Sequence, residues 1–482
     1  MAVQQPNFGI GGLAETNEDY TSHPYDLKAP ITVEEDVISS GYSTFYPATD
    51  ATNSDDKQIV FVLPPESFEW TLLPTIRMHG ELRVVNTATN KAPVLGEVFN
   101  VVNYYPQSLF SNVSCQIQNH VIKDPTSIPY PYKAYLETLC STTAWYQDTH
   151  LAIDGWCKDL CQMTDATDAG TTPITSNHNY FHVDFRDKRL HGGLQNGDWK
   201  EFAIPIHNDV INIHRRLSPH HRMIFRFERN KPDWSFIIPS DSMTTATDTV
   251  PAKPNRYKFE LKNLRLKIKR SETNENITKD MYAIGDGKRR SRFNRLPFTR
   301  NIFRTYDKYK DSIDLSYRNF IESKQLPEQI ILFFVEMEAY QGDPGKNPYN
   351  FEYVPLREAS LYINNKHEPM DKLCSVAAEG KKRELYELFL DNLGRNPWAS
   401  QAVNITYDEF YNKGLHMYVW DRTKSMTNRS IREKNIEGNI SVMLVAEQKI
   451  KKNYTICMYC SYSDLLESDQ TDGFNVTTLY KG

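Results

Sequence analysis

Short apolar runs separated by turn-rich spacers dominate the chain, a texture that predicts many strands and few helices. In the first half Gln58–Leu63, Glu81–Val85, Val113–Ile117, Arg222–Phe227 and Tyr257–Ile268 read as strands. From Arg222 to Glu228 the alternation is that of a half-buried strand: Met223, Phe225 and Phe227 share one face, and Arg222, Arg226 and Glu228 share the other with Ile224. Between Tyr257 and Ile268 the apolar set Tyr257, Phe259, Leu261 changes phase to Leu264, Leu266, Ile268, which predicts a bulge near Asn263 or two successive strands. The second half repeats the texture in Ser312–Ser316, Gln329–Val335, Ser360–Ile363, His416–Trp420, Asn439–Val445 and Tyr454–Ser461. Tyr132–Cys140 and Lys381–Asp391 are the better helix candidates.

The spacers carry their own information. Residues 1–30 are polar, with Gly9, Gly11 and Gly12 and no sustained period, and read as a flexible N-terminal arm able to order on a neighbouring subunit. The segment 141–200, with Asp168-Ala-Gly170 and Gly192-Gly193, is long for a connection in a β domain and predicts a protruding tower or a partner contact. A single core rarely grows past roughly 250–300 residues, so 482 residues predict two domains. The expected division is 31–270 and 301–482, joined by a basic linker at 271–300. No repeat of roughly 20–50 residues marks a solenoid or propeller. Pattern alone therefore points to an all-β chain of two tandem sandwiches.

Composition narrows the function classes. Aromatics make up 12%, with 28 Tyr and 23 Phe, which suits half-buried pleated surfaces. A formal net charge of −5 argues against a chain that binds polyanions with its whole surface, so any nucleic-acid contact must be local. No stretch reaches the roughly 18 apolar residues of a membrane span, and Met1–Pro30 lacks the apolar core of a signal peptide. A soluble protein made in the cytoplasm is expected, its seven cysteines reduced and its sequons at Asn276, Asn404, Asn439, Asn453 and Asn475 fortuitous.

Candidate chemistry is sparse. His207, His214, His220 and His221 crowd one region, and His207-Asn-Asp209 has a spacing that a two-His, one-carboxylate iron site uses, though so short a spacing arises by chance in ordinary loops. Cys157-x3-Cys161 and Cys457-x2-Cys460 offer four thiols, but Cys457 and Cys460 lie three apart in a strand and so point to opposite faces, as small buried hydrophobes would. Nucleophile elbow, phosphate-cradling loop and dinucleotide fingerprint are all missing, and Ile284-Gly-Asp-Gly287 is an ordinary turn. No catalytic residue, metal ligand or cofactor is expected. One charged feature stands out: Lys288, Arg289, Arg290, Arg292 and Arg295, followed by Arg300 and Arg304. It reads as a nuclear import signal, as a patch facing packaged DNA through phosphate contacts, or as a solvated linker pairing with acids on a neighbouring subunit.

Several segments, taken in order, resemble the double jelly-roll major capsid proteins of Polinton/Maverick elements, adintoviruses and related DNA viruses. In the first half these are Val101–Asn119, Tyr132–Leu139, Ile204–Asp209 and Arg216-Leu217. In the second they are Leu326–Val335, Ala339–Gly342, Asn347–Phe351 and Ser360–Asn364, continued by Tyr386–Phe389, Tyr407, Gly414 and Gly438-Asn-Ile440. The resemblance implies a double jelly roll whose homotrimers form pseudo-hexameric tiles of an icosahedral virion shell around double-stranded DNA. Implied partners are neighbouring capsomers, minor and penton capsid proteins and, non-specifically, packaged DNA, with synthesis in the host cytoplasm and assembly in the host nucleus. A minor capsid or receptor-binding β protein, and a β-sandwich carbohydrate-binding or metal enzyme, are the alternatives that the β texture leaves open.

Overall fold

A computed structural model describes residues 37–478 apart from 49–57, 67–68, 94–98, 123–128, 159–188, 191–192, 212, 214, 239–255, 275–292, 324, 365, 374–379, 394–402, 423–437 and 470–474. The first half contributes β1 (Val37–Phe45), β2 (Gln58–Leu63), β3 (Glu69–Asn86), β4 (Asn100–Val101), β5 (Phe110–Ile117), β6 (His120–Ile122), β7 (Lys200–Pro205), β8 (Met223–Arg229), β9 (Phe236–Ile237) and β10 (Tyr257–Thr273). The second contributes β11 (Phe293–Lys308), β12 (Tyr317–Ser323), β13 (Gln329–Glu336), β14 (Leu356–Ile363), β15 (Lys366–Leu373), β16 (Tyr418–Asp421), β17 (Gly438–Ala446), β18 (Tyr454–Asp469) and β19 (Asn475–Thr478). Among the described residues the helices are α1 (Tyr105–Ser108), α2 (Tyr130–Ser141), α3 (Ala144–Ile153), α4 (Met337–Gln341), α5 (Lys382–Asn392) and α6 (Tyr407–Asn412), and none is long and apolar enough to cross a membrane.

The order of the strands identifies the architecture. The first half forms sheets β1-β10-β3-β7 and β2-β8-β5-β6, with β4 and β9 pairing apart. The second forms β11-β18-β13-β16, extended by β19 on β18, and β12-β17-β14-β15. When the eight main strands of each half are ranked by chain order, both halves give first-eighth-third-sixth in one sheet and second-seventh-fourth-fifth in the other. Eight antiparallel strands so arranged in two packed sheets are a jelly roll, and the chain contains two of them.

The strands form where pattern and pairing agree. In β8, Met223, Phe225 and Phe227 are buried and Ile224 and Arg226 half-buried, as their alternation predicts. β10 carries the predicted phase change within one strand: its pairing with β3 slips between Lys262 and Arg265, Asn263 adopts φ 53°, and its side-chain amide donates to Glu81 Oε1 at 2.6 Å. β13 is apolar without alternation because it is covered on both faces. Ile330, Leu332 and Phe334 lie in the second roll's own core, whereas Ile331, Phe333 and Val335 join the core of the first.

Some expectations change. Ser312–Ser316 is a turn with a single bridge, Asp314 to Val445, because the Asp314 carboxylate takes the Ser316 amide at 2.9 Å and substitutes for a ladder bond. The stretch read as linker at 271–300 is strand at both ends: β10 continues to Thr273 and β11 starts at Phe293, pairing with β18 along its whole length. Within 141–200 the structure places α3 and a single turn at Leu194–Asn196; residues 159–188, like the arm at 1–30, lie outside the described residues.

Candidate assembly interface

Helix α2 belongs to the first roll but is inserted against the second. Pro131 in its first turn lacks the amide that a helix start leaves unpaired, which favours initiation there. The Tyr132 ring then meets Phe303 of β11, Phe333 of β13, Tyr340 of α4, Tyr349 and Phe351, all with centroids 5.8 to 6.4 Å away, and its hydroxyl donates to the Pro348 carbonyl at 2.9 Å. One turn further, Tyr135 stacks on Tyr349 at 4.2 Å. From the first roll, Trp234 closes the group against Tyr132 and Tyr349. Gly342, which ends α4 with φ 91°, allows that indole to approach: a Cβ there would lie 3.0 Å from its ring.

A polar network lies inside this apolar seam. Lys133 Nζ is 2.5 Å from Asp209 Oδ1, with the two side chains 0% and 2% exposed. Asn301 of β11 donates its backbone N–H to Asp209 Oδ2 at 3.0 Å and its side-chain amide to Oδ1 at 2.7 Å. Ser461 of β18 in turn donates to Asn301 Oδ1 at 2.8 Å. Beside this group, Glu137 bonds His207 Nδ1 at 2.8 Å and the Tyr459 hydroxyl at 3.1 Å. Burial works to raise the Glu137 carboxyl, but the His207 bond and the Lys133 charge outweigh it and hold it below the usual range. Each polar group thus has a partner from the other roll or reaches one through its neighbour, which fixes how the rolls sit.

The structure separates the histidines that the sequence groups. His207 bonds Glu137, while His221, buried and lowered to about 4 chiefly by desolvation, lies 2.8 Å from Ser468 Oγ at a different point of the seam. His220 is elsewhere on the surface side of that turn and His214 lies outside the described residues. Asp209 turns to Lys133 and Asn301, not to His207. Cys457 and Cys460 point to opposite faces of β18, one into the shared core and one into the second roll's own, as their spacing predicts. Cys157 is half-buried, and Cys161 falls outside the described residues. Of the basic run, Lys288, Arg289, Arg290 and Arg292 lie outside the described residues too. Arg295 is on β11, opposite Glu467 in the ladder and ion-paired with it at 2.9 Å, and Arg300 faces Asp464 at 3.2 Å.

A second surface was not legible in the sequence. β1 is an edge strand, and Ile38 and Tyr42 on it, with Tyr46 just beyond its end, are large side chains left 63%, 67% and 71% exposed. Beside them, Tyr42 pairs with Lys269 and Thr44 with Lys267, which in turn pairs with Arg77 of β3. β11 holds the same place in the second roll, but there Leu296, Phe298 and Phe303 are buried in the core shared with the first roll. The two rolls share a topology and differ in what covers this sheet.

Sequence comparison finds nothing: no protein-family model and no curated protein matches the chain. Comparison with solved structures does. A chain in the cryo-electron-microscopy structure of the Sputnik virophage superposes with a TM-score of 0.60 at 11% identity, over 93% of this chain and 90% of that one. The mavirus major capsid protein gives 0.53 at 10%, over 94% and 92%, and the Faustovirus major capsid protein 0.52 at 7%, over 90% and 91%. The chain has the double jelly-roll fold of viral major capsid proteins. This capsid fold is kept at identities that leave few residues in common, so it rests on the strand order and on the alternation that fills each core.

Four of the segments that carry the sequence resemblance meet at the seam of this double jelly roll. Tyr132–Leu139 is the inserted helix, Ile204–Asp209 supplies His207 and Asp209, and Ala339–Gly342 with Asn347–Phe351 supplies the rings around Tyr132. Others, such as Ser360–Asn364 and Gly438-Asn-Ile440, lie in the second roll's own core.

Proposed function

We propose that the chain is a structural, non-catalytic major capsid protein that assembles as a pseudo-hexameric homotrimer into an icosahedral shell around double-stranded DNA. The observation that carries this reading is the unequal covering of equivalent sheets. The first sheet of the second roll is covered by the first roll, whereas the matching edge of the first roll leaves Ile38, Tyr42 and Tyr46 in the open. Three chains in a closed ring, each covering its neighbour's open face with its own second roll, would give six rolls in similar surroundings and satisfy every copy of the contact at once. The fold shared with the mavirus and Faustovirus major capsid proteins supports the same role. The ordered string of resembling segments supports a place among the Polinton/Maverick and adintovirus capsid proteins. Its partners are then neighbouring capsomers and minor or penton proteins, and its location the virion.

The mass of the singly expressed protein by light scattering tests this, with negative-stain microscopy of the same fraction. A species of three times 55.9 kDa with a hexagonal outline, or closed shells, is the expected result, and a stable monomer at all concentrations overturns it. Lys288, Arg289, Arg290 and Arg292 are assigned to nuclear import or to the DNA-facing interior. Neutralising all four decides between them: lost nuclear accumulation with intact trimers supports import, and unchanged localisation with less retained DNA supports the interior patch.

A further inference from the structure

The charged pair within the seam has the composition of a reactant pair. Lys133 Nζ and Asp209 Oδ1 are 2.5 Å apart and shielded from water. Two charges so placed have lost their hydration, and one proton transfer across the contact turns them into a neutral amine beside a neutral carboxylic acid. These are the two halves of an amide. The groups around them have the roles that condensation needs. Asn301 donates to both carboxyl oxygens, at 3.0 and 2.7 Å, so it polarises the carbonyl and holds the oxyanion that forms when the carbon is attacked. Glu137 stands one helical turn beyond Lys133 on α2, on the same face and close enough to feel its charge, and its ionised carboxylate can take up a proton.

The geometry points to a modification site: an intramolecular isopeptide bond between Lys133 Nζ and Asp209 Cγ, formed without an enzyme. After the proton transfer, the neutral Lys133 amine attacks Asp209 Cγ to form the C–N bond. Glu137 accepts the proton that the nitrogen sheds and returns it to the hydroxyl that departs as the C–O bond breaks. One amide forms and one water leaves. No oxidant, metal or second substrate enters the balance. Holding the two groups in contact replaces a bimolecular encounter by an intramolecular one, the main source of rate in such reactions. The bond would tie α2 to the connection after β7, at the place where the second roll docks. It stands on these residues alone and not on the capsid reading.

The test is the intact mass of the purified full-length protein under denaturing conditions, followed by peptide mapping. The expected mass is one water below that of the sequence, with a branched peptide joining residue 133 to residue 209 and no tryptic cleavage at Lys133. Asp209→Asn should still form the bond, now with a mass lower by one ammonia, whereas Lys133→Arg and Glu137→Gln should keep their full sequence masses. A full sequence mass in wild-type protein whose cooperative thermal transition shows it to be folded overturns the proposal. So does a water loss that maps elsewhere, such as a succinimide at another aspartate.

Discussion

Phe333 and Phe334 are neighbours in β13, both fully buried, and point to opposite sides of the sheet. Phe333 packs in the seam, its ring 4.2 Å from Phe351, 6.0 Å from Tyr132 and 6.1 Å from Phe303. Phe334 packs inside the second roll, 6.1 Å from Tyr454 and 6.5 Å from Tyr418. Truncating either to alanine removes the same atoms from a close-packed site and should cost about 3–5 kcal/mol. Against a typical total of about 5–15 kcal/mol that is a large share, so both variants should unfold at lower denaturant. The location of the loss separates them. With Phe333→Ala, hydrogen exchange measured by mass spectrometry should quicken in α2 of the first roll as well as in β13 and β18. With Phe334→Ala it should quicken in β14 and β17 and leave α2 protected. Equal protection of α2 in the two variants would refute the claim that β13 is shared between two cores.

Tyr42→Glu should change monomer stability by no more than about 0.5 kcal/mol, since the residue is exposed, yet abolish the proposed trimer in light scattering; a trimer kept by the variant would remove β1 from the interface. Asp154, buried beside Arg77 at 3.8 Å, is raised to about 7, chiefly by desolvation. Its folded form therefore holds a proton more tightly than the unfolded chain does, and its contribution is full below pH 3.8 and is lost as pH rises through about 7. Asp154→Asn should flatten stability against pH in that window and raise the melting temperature above it; an unchanged profile would refute the assignment. His416 sits among Tyr353, Phe410, Tyr411 and Tyr418 and is lowered to about 3, mainly by burial. Its neutral form favours folding above pH 6.5, and that contribution is lost as pH falls toward 3. His416→Phe should cost less than about 1.5 kcal/mol at neutral pH and reduce acid sensitivity in chemical denaturation; a variant as acid-sensitive as the parent would refute this.

What could be read in the sequence follows from how each strand is covered. β2 appears to the residue, β8, β14 and β17 appear within a few, and β18 appears in its first half, Tyr454–Ser461, because one face is packed and the other wet or because both are packed. β1, β7, β12 and β15 are not legible: they lie at sheet edges or carry polar side chains, so no alternation marks them. The first half of β11 reads as linker because Arg295 ends the basic run and Arg300 and Arg304 interrupt the face of Leu296 and Phe298, although Arg295 and Arg300 face acids of β18. The bulge at Asn263 was legible because a slip in pairing moves every later side chain to the other face, and the core demands a compensating change of phase. The seam network was not legible. Lys133 and Asp209 look like ordinary charged residues, and only folding shows that each is sealed from water by aromatic rings.

The run Ile330–Val335 shows how one strand can report on domain arrangement before any coordinate is known. A strand in an isolated sandwich needs only one apolar face, and a second apolar face left in water would be an aggregation hazard. Six consecutive apolar residues therefore require two packed sides, and in the second roll the additional side is the first roll. The first roll's equivalent strand, β3, instead alternates through Arg77, His79, Glu81 and Arg83, so its outer face was built to meet water or a polar partner. Burial and Lys267, Arg265 and Arg77 lower His79 to about 4, which keeps it neutral and leaves the other three cations to set the charge of that face. An interface formed there must be polar on β3 and apolar on β1, and it must therefore be weaker than the seam within the chain. That ordering suits a subunit that folds as one unit first and joins its neighbours afterwards.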